Sequence, residues 1–186
     1  MTVPATTPEQ VTGAMHRWLE RAVIGLNLCP FAKAVHVKGQ VHVAVCSASA
    51  FGDVLEALDA ELTELLAQDA EQRDTTLLVV PQGFDEFLLF LDLVRAGERL
   101  VSRRGLDGVV QLASFHPAYV FGGADPADPA NASNRAPYPT LHLLREASID
   151  RAVAAFPEAE AIFGANVAKL RDLGADGWAA LGVGPA

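Results

Sequence analysis

The chain has 186 residues, 51% hydrophobic and 20% charged, enough apolar material for the core of one domain and too much for a disordered segment or a small disulfide scaffold. With 23 acids against 14 bases its net charge is −9, which argues against a nucleic-acid or anionic-membrane surface. The partner expected on this balance is a small molecule.

The start, Met1 to Thr7, is rich in Thr and Pro and reads as a flexible N-terminus. It has neither the basic nor the apolar region of a secretory signal. Thr7, Pro8 and Gln10 then form an N-cap signature, and Val11, Met15, Trp18, Leu19, Ala22, Val23 and Leu26 recur at helical spacing. Val41–Val45 alternates as a strand does. Phe51 to Ala70 predicts an amphipathic helix, Thr75–Val80 a buried central strand, Phe84 to Arg104 a third helix closed by Gly105, and Val109–Phe115 a third strand. Residues 121–139 are crowded with Gly, Pro, Asp and Asn and predict a long loop, one wall or lid of a site. Thr140–Arg145 reads as a fourth strand, with a short helix from Ser148 to Phe156 and another from Pro157 to about Leu173. The expectation is a single α/β domain, a mixed sheet of about four strands covered by five helices. No run is long enough to cross a membrane, and two cysteines suit a reducing cytoplasm better than a disulfide.

Three segments place reactive side chains in awkward backbone. In Gly25-Leu-Asn-Leu-Cys-Pro-Phe-Ala-Lys33, Pro30 predicts a helix start that leaves Cys29 at an N-cap, where the dipole and Lys33 favour a thiolate. In Gln111-Leu-Ala-Ser-Phe-His-Pro117, Ser114 and His116 share a face at a strand end, a usual place for ligands in α/β folds. In the stretch from Asn134 to Glu146, Arg135, Tyr138, His142, Arg145 and Glu146 fall within twelve residues; His142 and Glu146 are neighbours in either a strand or a helix, and the arginines suit an anion. Asp125 and Asp128 have the spacing of hard-cation ligands, but Asp-Pro pairs more often make turns.

Ile24–Lys33, Gln111–Pro117 and Asn134–Ser148 together resemble a bacterial family catalogued as domain of unknown function 1415. The resemblance runs over nearly the whole chain, and Ala136 stands where serine is expected. It implies no particular activity.

The leading expectation is a small cytoplasmic enzyme. Cys29 would be its nucleophile, His116 or His142 its acid/base, and Glu146 the group orienting a histidine. Arg135 and Arg145, with Ser114, Tyr138 and Lys33, would bind an anionic small molecule. One alternative is a metal or haem site on Cys29, His116 and His142. Another is a non-catalytic binding module, with the acidic stretch 51–74 facing a basic partner. That stretch sets Asp53, Glu56, Asp59, Glu61, Glu64, Asp69, Glu71 and Asp74 against Arg73 alone, so most of the net charge belongs to one segment.

Overall fold

The computed structural model describes residues 6–156 and 158–186. Most of the expected N-terminal arm, and the helix start expected at Pro157, lie outside the described residues. Helix α1 (Pro8–Trp18) opens as its sequence predicts: the Thr7 hydroxyl accepts from Gln10 N, and Gln10 Oε1 accepts from Thr7 N at 2.8 Å. The helix then widens into a π-helical segment, Leu19–Ile24. Five-residue bonds run from Gly25 N to Glu20 O and from Leu28 N to Val23 O. A Cβ on Gly25 would collide with the Arg21 carbonyl, so glycine permits this closure. Periodicity cannot reveal such a turn, because the apolar stripe passes through it uninterrupted.

After α2 (Ala32–Val37) the chain runs β1 (Val41–Val45), α3 (Phe51–Ala67), β2 (Thr75–Val79), α4 (Phe87–Arg103), β3 (Val110–Phe115), a 3-10 turn (Pro129–Asn134), β4 (Thr140–Arg145), α5 (Glu146–Ala155) and α6 (Ala161–Ala180). The four strands stand where expected. The short α2 is an addition to the five expected helices, and α5 starts at Glu146, two residues before the expected Ser148.

The strands form one mixed sheet in the order β1-β2-β4-β3. β1 and β2 are parallel, joined by the α3 crossover, while β4 runs antiparallel to both β2 and β3. One sheet face carries α3 and α4. Val54, Leu58, Leu62, Leu65, Phe90 and Leu93 pack there on Leu78, Leu141 and Leu143 in a continuous core. The other face carries Val43, Leu77, His142 and Ala113 in one row across the sheet. Val11, Met15, Trp18 and Leu19 cover part of that face. The 121–139 stretch is ordered by its own side chains. Buried Asn131 accepts from Phe121 N and donates to the Asp125 carbonyl, and Asp128 pairs with Arg171 of α6 at 2.7 Å. That arginine holds the Asp128 carboxyl down at about 2. Asp125 accepts from Ala127 N, so both acids are turn formers. Among the described residues no helix is long and apolar enough to cross a membrane.

Candidate functional site

On the less covered face lies a cavity of about 440 Å³, within the usual range of small-molecule sites. Its floor is the sheet: Val41, Thr75, Leu77, Ala113, Phe115, His142 and Leu144. Trp18, Leu19 and Val23 of the first helix wall one side, and Cys29, Phe31, Ala32 and Val35 another. Ser148, Ile149 and Ala152 of α5 form a third. The lining is overwhelmingly apolar, with a few polar groups converging on it.

His142 is the most informative of these. Its Nε2 lies 2.7 Å from Thr75 Oγ1, which is itself 2.6 Å from the Leu143 carbonyl oxygen. A hydroxyl has one proton and a carbonyl has none, so Thr75 donates to Leu143 O and accepts from His142 Nε2–H. This assigns the Nε2–H tautomer and leaves Nδ1 as a bare lone pair. Nδ1 has no hydrogen-bond partner, yet no buried side-chain nitrogen or oxygen among the described residues lacks one. Nδ1 therefore sits on the accessible edge of the ring, facing the cavity that the ring lines. Burial pushes the imidazole down to about 4, so it is neutral at pH 7 and acts as a hydrogen-bond acceptor.

Cys29 reaches the same cavity by local backbone geometry. The π turn ends at Gly25, and Asn27 takes a left-handed conformation (φ 51°), which asparagine tolerates. Leu28 is thereby buried, and half-buried Cys29 is left on the cavity wall. The N-cap of α2 is Phe31, two residues beyond Cys29, because residues 29–31 form a turn in which the Cys29 carbonyl accepts from Ala32 N. Lys33 is exposed on α2. Both cysteines are free.

The other expected residues fall elsewhere. His116 is buried on the α4 side between Phe87 and Phe90, with ring centroids at 5.2 and 5.1 Å. Its Nδ1 accepts from Ala118 N and its Nε2 donates to the Phe84 carbonyl, so neither nitrogen is open to a ligand. Burial lowers its pKa, against the pull of the Phe84 carbonyl. Ser114 shares that sheet face, with its carbonyl accepting from Asn134 Nδ2. Arg135 ties the 117–128 stretch together through the Tyr119 and Pro126 carbonyls. Arg145 borders the cavity, but its guanidinium donates to the Leu65, Gln68 and Arg73 carbonyls and so caps the end of α3. Tyr138 is buried under α1, and its hydroxyl accepts from Ala186 N. Glu146 is the first residue of α5. The strand ends before it, so it does not share His142's face, and its carboxylate has no hydrogen-bond or ion-pair partner among the described residues. Cys29 and His142 are thus brought to one cavity, and His116 is held on the other side of the sheet. Among the described residues no group of three His, Cys, Asp or Glu could hold a metal ion.

The sequence reading missed Thr75, Asp74, Gln111 and Ser148, which also line the cavity; Ser148 donates to Asp74 Oδ1 at 2.5 Å. The one available signal was a polar pair, Asp74 and Thr75, at the head of an apolar strand.

Fold and cavity together define an α/β protein with a largely apolar cavity laid on one face of a mixed sheet. Residues 10–180 match the family described as protein of unknown function (DUF1415), and the chain belongs to that family. No curated protein and no solved structure matches it.

Proposed function

We propose that this cavity is the active site of a small cytoplasmic enzyme acting on an uncharged, largely apolar small molecule. Cys29 is its nucleophile and His142 its proton acceptor and donor. The observation that carries this reading is the bare Nδ1 of a neutral histidine facing an apolar cavity whose wall includes a thiol. In the proposed step Cys29 Sγ bonds to an electrophilic carbon, and the thiol proton passes to Nδ1. Because desolvation disfavours the charged ring, a proton taken up as the S–C bond forms is passed on to the departing group rather than kept. The substrate expected from the sequence was anionic. Arg135 lies outside this cavity, Arg145 is directed to backbone carbonyls at its edge, and the lining is apolar, so the cavity favours a neutral ligand carrying a hydrogen-bond donor for Nδ1. Two free thiols fit a reducing compartment.

The test is alkylation by iodoacetamide, a neutral reagent, in a Cys46→Ala background at pH 7. Cys29 should react faster than glutathione, and His142→Ala should slow it by about tenfold or more. Reaction no faster than glutathione, or a rate indifferent to His142, would sink the nucleophile role. In that event the apolar lining supports a second reading, a non-catalytic binder of the same ligand class.

A further inference from the structure

We propose that the cavity beside His142 is one compartment of a two-compartment site, with Cys29 at the waist. The site would hold a single uncharged molecule too long for either compartment. This rests on the reading that Cys29 and His142 serve one ligand. A second cavity, of about 460 Å³, shares Val23, Cys29, Phe31 and Phe115 with the first, so the thiol borders both.

Beyond that shared wall the second compartment is again apolar. Phe121 and Phe163 meet edge to face at 6.2 Å, and Phe163 is 66% exposed at its rim. Its polar groups are neutral amides and a hydroxyl. Asn134 Nδ2 donates to the Ser114 carbonyl and Asn166 Nδ2 to the Leu28 carbonyl, and Asn166 Oδ1 has no partner among the described residues, so it is available as an acceptor. The first compartment likewise offers an acceptor, His142 Nδ1.

The charged side chains bordering the pair, Asp74 and Arg145, are tied into the wall, Asp74 by the Ser148 hydroxyl and Arg145 by three backbone carbonyls. The rest of the lining is apolar or neutral, so most of a ligand's surface in either compartment meets groups that cannot replace the hydration of a charge. The chemistry that fits is a neutral molecule with two apolar arms, a hydrogen-bond donor toward each end, and its reactive carbon between the arms at Cys29.

Two neutral probes separate the alternatives in the Cys46→Ala protein. N-benzyl-2-chloro-2-phenylacetamide has an arm on each side of its reacting carbon, and its N-methyl analogue has one. In both, Sγ forms the new bond to carbon, chloride leaves with the electron pair of the C–Cl bond, and the thiol proton passes through His142 to water. The rate ratio of the two probes, each normalised to glutathione, should exceed about tenfold, as expected for one extra buried phenyl group. Val167 lines the second compartment, and Val167→Trp, which narrows it, should erase most of that advantage. Phe163→Ala, an exposed change that should not disturb folding, should reduce the advantage severalfold. A normalised ratio near one, or an advantage that survives both substitutions, overturns the two-compartment site. Failure of the underlying reading shows separately, as a one-armed rate that His142→Ala does not change.

Discussion

The two faces of the sheet are built from the same strands and end in opposite states. On the α3–α4 face every large side chain meets another, and even the histidine is saturated: His116 has a backbone partner on each ring nitrogen. On the opposite face the first helix covers only part of the sheet, α5 buries no residue of its own, and His142 keeps one nitrogen free over open space. His116 is fully buried and His142 partly so, and in both desolvation disfavours the charged form. What separates a structural histidine from a candidate functional one here is the second nitrogen. The comparison teaches that burial alone does not mark a site; an unspent polar atom facing a cavity does.

The largest expected contrast is mechanical. Leu141→Ala, on the dense face, should destabilise the protein by roughly 2–5 kcal/mol, because the core around it cannot collapse into the space left. Leu144→Ala, three residues along the same strand and already beside a cavity, should cost about 1 kcal/mol. Urea unfolding of the two variants checks this, and equal losses would break the distinction between the faces.

Next in size is a pH effect. Unfolded His142 takes up a proton below about pH 6.5, but the folded side chain does so only near 4. Between those values the unfolded state binds more protons, so stability is unaffected above pH 6.5 and falls as pH drops toward 4. The loss should reach about 3 kcal/mol, and His142→Gln should remove it. His116 titrates in the same direction, so the informative quantity is the difference between wild type and variant. Identical pH profiles would mean that His142 is not held neutral by its surroundings.

The smallest effect concerns the hydroxyl that fixes the tautomer. Thr75→Val keeps the shape but strands His142 Nε2–H, at a cost of about 1–2 kcal/mol. It should also slow alkylation of Cys29, because the ring is then free to present its N–H to the cavity. A stability loss with unchanged alkylation would reduce Thr75 to a packing role.

Much of the fold was legible in the chain. Thr7, Pro8 and Gln10 announced a cap by their spacing alone, since a capping box is a contact between residues three apart. The apolar run after Asp74 announced the all-buried strand, and the leucine stripe of residues 51–67 its helix. The site was legible only in part. Cys29 and His142 stood out as reactive types in breaker-flanked segments. His116 stood out equally: its Ala118 partner is a local turn contact that sequence allows for, but the Phe84 carbonyl that takes its other nitrogen lies 32 residues away and is set by packing. Thr75 was invisible as a site residue because its partner lies 67 positions away.

Sequence by itself determined the four strands, the main helices, the Thr7 cap and a mixed sheet, because those depend on periodicity and on contacts a few residues apart; the π-helical segment, α2 and the start of α5 it did not. It also placed most of the acidity in one segment, residues 51–74. Tertiary structure alone decided which histidine faces a cavity and where the arginines are spent. That decision followed from inserting β4 between β2 and β3, which lays His142 across from Leu77 and Ala113 on the face the helices leave partly uncovered.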